Sequence, residues 1–392
     1  MAFFSLKVRR PNPLTGWLVL AGVASGAIAG WIAAGVYVTP LLSEIGSPSP
    51  APIVPSSSST SPSVQTIPVV QPSVSASINP PQTLTRRNSS VLAIVKKTAV
   101  PSTEELFVNA DRAIGQAIAL TSDGWLVTPS ANMKNVRTAD LLVVWQGKSY
   151  PVMQAVRDTA TDAVYLKIAA SGLPSVAFAD PQDLEIGMGV WVEPSAGVVR
   201  LQTLMDVRNP SSSDPVSSEH ATRRYLVNGS GGAATVGGAV WDASGQLIGL
   251  VESKIHEDWR VLPASDVRSA LSSLLSDKVI RHAVLGVRTI DLGRVAVEGT
   301  DRVSPMRGAL IRADKKLNAP AIVPAGPASK VLREGDVIER IERDMLDGSA
   351  DLGEMLLSYK PGTVISIEGQ RNGKPFQASV TLGSSITSEL IK

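Results

Sequence analysis

The sequence contains no cysteine and only three histidines among its 392 residues. Without cysteine there can be no disulfide, no zinc–thiolate site and no cysteine nucleophile. The histidines are His220, His256 and His282, and general acid–base chemistry near neutral pH most often uses an imidazole. The formal net charge is only +2, from 37 basic and 35 acidic residues, so no strong field attracts nucleic acid. We therefore expect no nucleic-acid partner, and the sequence indicates no cofactor and no metal site.

Charged residues are also absent from Leu14 to Leu42, and this apolar stretch predicts a transmembrane helix. The part from Trp17 to Val38, at about 1.5 Å per residue, already covers the roughly 30 Å hydrocarbon thickness of a bilayer. Basic residues stand just before the stretch, namely Lys7, Arg9 and Arg10. The positive-inside rule therefore predicts a single-pass membrane protein with a cytoplasmic N-terminus and an extracytoplasmic bulk.

Two alternatives stay open for this apolar stretch. It could be a cleaved signal peptide, since Ala27-Ile28-Ala29 offers a small-residue cleavage site. Its glycines Gly22, Gly26 and Gly30 recur every four residues, which would let a second helix approach closely and form a membrane-helix dimer. Glycine is, however, common in membrane helices in general.

The composition changes twice after the apolar stretch. Residues 43–88 are rich in proline and serine and cannot bury a core, so they predict a disordered, semi-extended linker. From Ser89 onward, short β-type runs alternate with Gly, Pro, Asn and Asp, which favours an all-β barrel or sandwich. Helical spacing over Asp266–Ser276 predicts a helix that closes this part, with Ser265 or Asp266 as its N-cap.

A second β pattern begins near Arg281. It includes a predicted helix from Ser349 to Ser358 and a final hairpin turning at Asn372-Gly373, a strong hairpin signal between alternating runs. Ala328–Leu332 indicates another short helix. The pattern predicts a small β-sandwich with two helices.

An ordered series of motifs resembles the HtrA/DegP/DegS family of trypsin-like serine proteases, over roughly residues 89–383. Asp123–Thr128 resembles the family's D-G-Y-I-L-T strand, which in active members leads to the catalytic histidine. Arg157–Ile168 resembles the segment that carries the catalytic aspartate, retained here as Asp162. Ala234–Val240 falls on the family's G-N-S-G-G motif, which carries the nucleophilic serine.

The resemblance also implies two substitutions in the catalytic triad. Ala131 stands where the family has histidine, and Val236 stands where it has serine. A serine protease needs a hydroxyl that attacks and an imidazole that moves its proton, and neither a methyl nor an isopropyl group can do either. We therefore expect a catalytically degenerate, inactive homologue with triad positions Ala131, Asp162 and Val236. The neighbouring hydroxyls Ser130 and Thr235 have no evident base.

The C-terminal part resembles the PDZ domain of the same family. Leu285, Gly286 and Val287 match its carboxylate-binding turn, and Arg288 could add charge attraction. PDZ domains add an extended peptide to a sheet edge and hold its terminal carboxylate on backbone N–H groups. The resemblance thus implies peptide binding at residues 285–288. Structural packing alone is the open alternative, and the charged stretch 297–317 could alter or occlude the groove.

Together these observations predict a mainly β chain with an N-terminal transmembrane helix and disordered linker, a chymotrypsin-like double β-barrel and a PDZ domain. The predicted boundaries are 1–13 for the cytoplasmic N-terminus, 14–42 for the transmembrane helix, 43–88 for the linker, 89–279 for the protease-homologous domain and 280–386 for the PDZ domain. The predicted function is that of a bacterial, membrane-anchored pseudoprotease, a binding scaffold or regulator in the cell envelope.

The expected partners are C-terminal or unfolded peptides of extracytoplasmic proteins. Active HtrA-like proteases, or further copies of the chain in a trimer or membrane-helix dimer, are additional candidates, because the resembled family trimerises through its barrel. The alternative function is a serine-type endopeptidase of protein quality control with an unconventional active site.

Overall fold

A computed structural model describes residues 80, 81, 84, 89–97, 112–207, 214–229, 236–294, 307–348 and 350–391. The predicted cytoplasmic segment, the transmembrane helix and all but three residues of the linker lie outside these ranges. Within these ranges, no helix has the length and apolar character needed to span a membrane. The described residues belong to one compact unit, 75–392.

Twenty-two strands form the described fold. The first eight are β1 (Val91–Lys96), β2 (Gly115–Ala119), β3 (Trp125–Pro129), β4 (Leu141–Trp145), β5 (Lys148–Asp158), β6 (Ala163–Ile168), β7 (Gly189–Ser195) and β8 (Val198–Asp206). The next seven are β9 (Val216–Ser217), β10 (Tyr225–Val227), β11 (Ala239–Trp241), β12 (Leu247–Ile255), β13 (Asp258–Pro263), β14 (Arg281–Val284) and β15 (Arg288–Asp291). The last seven are β16 (Ala309–Ile311), β17 (Val337–Ile341), β18 (Asp344–Met345), β19 (Val364–Arg371), β20 (Lys374–Thr381), β21 (Gly383–Ile386) and β22 (Ser388–Leu390).

Two α-helices are described, α1 (Ala264–Asp277) and α2 (Leu352–Leu357). Short 3₁₀ helices cover Ser130–Met133, Thr138–Asp140, Pro181–Asp183, Leu292–Arg294 and Pro327–Lys330. The structure is thus mainly β, as the sequence predicted, and the short helix expected over Ala328–Leu332 is a 3₁₀ helix at Pro327–Lys330.

The first six strands close into one barrel. They hydrogen-bond in the order β5-β4-β1-β2-β3-β6, and β6 pairs back with β5. Side chains on these strands alternate between two cores, as the period of two requires. Leu126 and Leu166 point into the barrel, whereas Val127 and Tyr165 point to a second core shared with the following barrel and α1.

A second closed barrel follows, in the order β10-β13-β12-β11-β7-β8. Val190, Leu204, Val240 and Val261 fill it. The helix α1 then lies against the core shared by the two barrels, and the hydroxyl of Tyr165 donates a hydrogen bond to the carbonyl oxygen of Val267 at 2.9 Å. The expected chymotrypsin-like double β-barrel is confirmed.

The start of α1 differs from the prediction. The helix begins at Ala264, and the residue before it is Pro263, which provides no side-chain cap. Ser265 and Asp266, predicted as N-caps, are therefore inside the first turn. Pro263 is the last residue of β13 and has an extended backbone, so α1 begins directly where the strand ends. Asp266 is instead buried, with 1% of its surface exposed.

A third sheet forms from the C-terminal strands, in the order β20-β19-β17-β16-β15-β9, with β18 attached to β17. The predicted hairpin is present, because Arg371 pairs with Lys374 across Asn372-Gly373. The helix α2 packs through Leu352 and Leu356 on the core of this sheet. Two C-terminal strands lie outside this sheet: β21 pairs with β14, and β22 pairs with β5 of the first barrel. The predicted domain boundaries remain predictions.

Candidate functional site

Ala131 lies in the short 3₁₀ helix Ser130–Met133, directly after β3. This helix lies in the connection from β3 to β4 of the first barrel, and its start is fixed by a backbone hydrogen bond from Ser130 to the carbonyl oxygen of Asp162 at 2.9 Å. The structure therefore brings the segments of Ala131 and Asp162 together. The contact joins main chains and not the two side chains.

Asp162 occupies an unusual backbone conformation, with a φ of 65° in the left-handed region. Aspartate tolerates this region better than most residues. Its carboxylate forms an ion pair with Arg157, with 2.5 Å between Oδ1 and Nη2, and the two side chains are 46% and 40% exposed. The carboxylate is thus held by a cation at the surface.

Val236 lies in the turn before β11, and this turn contacts the first barrel. The carbonyl oxygen of Val236 accepts hydrogen bonds from the backbone of Gln116 at 2.9 Å and from Nδ2 of Asn132 at 3.1 Å. The next residue, Gly237, has a φ of +86°, and a Cβ there would lie 1.9 Å from the carbonyl oxygen of Gln116. Only glycine fits this position.

The sequence motifs do not predict a role for Asn132. It is buried, and its side-chain amide donates to the carbonyl oxygens of Val236 and Gln116 and to the hydroxyl of Thr128. It follows Ala131 directly, so it ties that segment to the turn at Val236. A family motif directs attention to the triad position, and for that reason the neighbouring structural amide was missed.

Among the described residues, no hydroxyl next to Ala131 or Val236 forms a hydrogen bond to an imidazole. Thr235 lies outside the described ranges, and Ser130 forms no hydrogen bond to a histidine. His256 is in the turn between β12 and β13, and His282 is buried against Asp158, with 2.9 Å between Nε2 and Oδ2. Since Ala131 and Val236 carry no proton-transferring group, hydrolysis here would have to use other residues.

The second predicted site, residues 285–288, connects β14 to β15. Leu285 is fully buried, and its carbonyl oxygen accepts from the backbone of Ala328 at 3.1 Å. Gly286 has a φ of +80°, and its carbonyl oxygen accepts from Val323 at 2.9 Å. These bonds fix the turn on one side. The N–H groups of Gly286 and Val287 face the segment that precedes β10, whereas the N–H of Arg288 donates to the carbonyl oxygen of Ala321 at 2.8 Å.

A carboxylate of the chain itself occupies this turn. The N–H of Gly286 donates to Oε1 of Glu219 at 2.8 Å, and the N–H of Val287 lies 3.3 Å from the hydroxyl oxygen of Ser218. Hydrogen bonds from backbone N–H groups to an ionised carboxylate are stronger than bonds between neutral groups. The turn thus has the geometry of a carboxylate-binding site.

A cluster of buried charges lies between α1 and α2. Arg223 pairs with Glu354 at 2.5 Å, and the two side chains are only 9% and 12% exposed. Burial raises the pKa of Glu354 to about 8 although Arg223 lowers it, and burial raises the pKa of Asp266 to about 7 although Arg224 lowers it. The cluster couples the second barrel to the C-terminal sheet.

The sequence of the chain was compared with those of known proteins and protein families. No family model matches the chain. The chain is 27% identical over 254 residues to a "Serine protease Do-like HtrA" of Lactococcus lactis subsp. cremoris (strain MG1363), covering 59% of this chain and 61% of the relative. It is 25% identical over 290 residues to a "Probable periplasmic serine endoprotease DegP-like" of Halomonas elongata, covering 69% of this chain and 56% of the relative. The alignments thus span about 60% of these relatives' length.

The fold is also similar to those of solved HtrA-type proteases. The protein described as "HtrA-type protease AlgW with decapeptide" superposes with a TM-score of 0.54 at 18% identity, covering 76% of this chain and 97% of that one. The fold is therefore that of a trypsin-like, double-barrel protease. Together with the sequence relatives, it confirms the resemblance to the HtrA/DegP group within that class.

The prediction that the chain is not an enzyme is contradicted by these comparisons. The similar proteins are named serine proteases and endoproteases, so the chain is placed with a group of proteases. The prediction depended on the register of two short motifs, at Ala131 and Val236. A motif register does not determine which hydroxyls and bases the folded cleft brings together, so it cannot by itself exclude activity.

Proposed function

We propose that the chain is an HtrA-like protein that binds peptide segments of extracytoplasmic proteins at the turn 285–288 and the adjacent strand β15, within a PDZ domain. The observation that carries this proposal is the combination of a strand, β15, that accepts an added strand with a turn that binds a carboxylate. The chain's own extended segment Val216–Ser217 pairs with β15, and the carboxylate of Glu219 accepts a hydrogen bond from the N–H of Gly286. Peptide recognition by strand addition needs both elements.

The neighbouring groups suit an extended peptide with an apolar end. Val323 lies beside Gly286 and is 48% exposed, and Leu346 and Leu352 line a cavity next to β15. Apolar side chains next to backbone N–H donors favour a ligand that ends in an apolar residue and a free carboxylate. Solved HtrA-type proteases are described with a decapeptide and with a tripeptide, which supports a peptide ligand.

The proposed location is the cell envelope, on the extracytoplasmic side. Relatives named periplasmic endoproteases support it, as does the apolar stretch at residues 14–42. Partners are then C-terminal or unfolded peptides of envelope proteins. Further copies of the chain or related proteases are additional candidate partners.

Peptide titration of the full chain tests the binding proposal. A fluorescein-labelled decapeptide ending in three valines with a free carboxylate is expected to bind saturably, whereas its C-terminally amidated copy loses at least tenfold in affinity. Gly286→Ala places a side chain at positive φ in the turn and should weaken binding fivefold or more. Gly373→Ala has the same backbone conflict in the distant hairpin and should bind like wild type. Equal affinity for both peptides would refute the proposal.

The names of the relatives favour a second candidate function, a serine-type endopeptidase with an unconventional active site. Ser130 is the candidate nucleophile among the described residues, because it lies half-buried at the turn beside Ala131. Incubation with unfolded casein and a fluorophosphonate probe tests this function. It predicts cleavage that Ser130→Ala or Thr235→Ala abolishes and that Ser244→Ala, an exposed turn serine, leaves intact. Casein left uncut and no probe labelling would exclude it.

A further inference from the structure

We propose that the segment Val216–Glu219 is an internal ligand of the proposed peptide groove and keeps it closed to other peptides. This inference depends on the proposed function, since it names what regulates that same site. The segment belongs to the connection between β8 and β10 of the second barrel. It therefore reaches the groove from the barrel and not from the C-terminal sheet.

The backbone of the segment binds as an added strand. Its two strand residues pair antiparallel with β15, with Ser217 opposite Arg288 and Val216 opposite Thr289. The N–H of Ser218 then donates to the carbonyl oxygen of Val287 at 2.9 Å, which continues the pairing into the turn. An incoming peptide that extends the sheet at β15 would need these same groups.

The carboxylate of Glu219 takes the place expected for a peptide terminus. Its Oε1 accepts the N–H of Gly286 at 2.8 Å and the hydroxyl of Ser218 at 2.9 Å, and its Oε2 accepts the hydroxyl of Ser217. The two serines thus hold the carboxylate toward the turn. Residues 217–219 supply both a strand and an anion, the two features that a C-terminal peptide would present.

The residues that directly follow the segment contact α2. The carbonyl oxygen of His220 lies so close to α2 that a Cβ on Gly353 would be 2.2 Å from it. Asp351 accepts hydrogen bonds from the backbone and hydroxyl of Thr222 at 3.0 and 2.6 Å while its other oxygen caps α2. The space left beside the segment is a cavity of about 50 Å³, which holds a few waters but no peptide segment. A peptide can enter only if the segment leaves.

A competing internal ligand has a quantitative consequence. The apparent affinity for an external peptide is reduced by the fraction of molecules whose groove is open. Weakening the hold of Glu219 raises that fraction without changing the groove itself. In the full chain, we therefore expect Glu219→Ala to bind the free-carboxylate decapeptide tenfold or more tightly than wild type. Glu257→Ala removes the same charge from an exposed turn and should leave the affinity unchanged.

An engineered disulfide measures occupancy of the groove without any peptide. Ser217 and Arg288 are the non-hydrogen-bonded pair, because the neighbouring pair Ser218 and Val287 carries the ladder bond. Their Cα atoms should be about 4.5 Å apart, a distance that a disulfide spans. The chain has no other cysteine, so a double variant Ser217→Cys/Arg288→Cys gives an unambiguous thiol count. Under mild oxidation both thiols should disappear within the monomer, whereas Ser217→Cys alone keeps its thiol or dimerises.

The two measurements separate this inference from the proposed function. Rapid intramolecular disulfide formation together with tighter peptide binding by Glu219→Ala supports both. If the disulfide forms but neither wild type nor Glu219→Ala binds the decapeptide, the segment occupies the turn and the peptide-binding function is refuted. If the thiols persist and both proteins bind the peptide equally, peptide binding stands and the internal ligand is refuted.

Discussion

Nε2 of His282 lies 2.9 Å from Oδ2 of Asp158, and both side chains are buried, at 4% and 0% exposure. The pair joins β14, at the start of the C-terminal part, to β5 of the first barrel. Burial raises the pKa of Asp158, but hydrogen bonds from His282 and from the hydroxyl of Thr161 outweigh it and lower the pKa overall. Together with β22, which pairs with β5, this contact attaches the C-terminal part to the first barrel.

Removing one partner of this pair should be costly. His282→Ala leaves a buried carboxylate without its donor, and we expect the free energy of unfolding in urea to fall by about 3–5 kcal/mol. Asp140→Asn, which breaks the exposed pair with Arg137, should leave the free energy of unfolding close to the wild-type value. Because the pKa of Asp158 is lowered in the fold, its contribution is present above the unfolded value and is lost as the pH falls below about 4. Equal effects of the two variants would contradict this account.

The buried carboxyl of Asp266 should produce the opposite pH dependence. Burial raises its pKa from 3.8 to about 7, so the folded state binds more protons than the unfolded state between these values. The free energy of unfolding should therefore fall as the pH rises through this window, by on the order of 1–4 kcal/mol. Asp266→Asn should reduce that fall and be more stable than wild type at pH 8. Denaturant midpoints from pH 4 to pH 8 measure it.

A control and a second residue complete this test. Asp183→Asn changes an exposed carboxyl and should keep the wild-type slope. Burial also raises the pKa of Glu354, to about 8, so part of the decline should persist in Asp266→Asn and disappear when Glu354→Gln is added. A wild-type stability that is constant over the whole range would overturn the explanation.

The amide of Asn132 should stabilise the contact between the first barrel and the turn at Val236. Asn132→Ala removes the amide that donates to Gln116, Thr128 and Val236, and we expect a loss of about 1–3 kcal/mol in the free energy of unfolding. Gln182→Ala, at an exposed position, should stay within about 0.5 kcal/mol of wild type. If the two variants are equally stable, the hydrogen bonds of Asn132 contribute nothing measurable to the free energy of unfolding.

Gly353 offers a test of the groove that does not involve Glu219. The Cβ of Gly353→Ala would lie 2.2 Å from the carbonyl oxygen of His220, so the segment must shift away from α2. We expect this variant to bind the free-carboxylate decapeptide more tightly than wild type, in the same direction as Glu219→Ala. Gly189→Ala, whose Cβ would meet only the end of Leu201 at 3.4 Å, should not alter binding. Weaker binding by Gly353→Ala would show that the segment is not a competitor.

The sequence predicted the parts of the fold that local patterns determine. Short apolar runs such as Trp125–Thr128 and Ala239–Trp241 are strands in the structure, because alternating side chains can fill a core on each face. The strand β9 could not be predicted, because its two residues lie in a Ser- and Pro-rich connection and gain their structure only from pairing with β15. Tertiary pairing of this kind leaves no period in the sequence.

In the candidate sites, too, local motifs could be predicted from the sequence and long-range contacts could not. The turn at Gly286 is recognisable, because its glycine and apolar neighbours carry a motif. Its occupant Glu219 is 67 residues away along the chain and carries none. The expected occlusion of the groove by the stretch 297–317 stays a prediction, because residues 297–306 lie outside the described ranges. The segment found in the groove comes instead from the second barrel.

Hydrogen exchange of the Gly286 amide in the full chain tests the central claim most directly, because this N–H is the one that Glu219 binds. We predict that the amide is protected in wild type and in Glu257→Ala, and that Glu219→Ala exchanges it at least tenfold faster. A Gly286 amide that exchanges equally fast in all three proteins would contradict the claim that the chain occupies its own peptide groove.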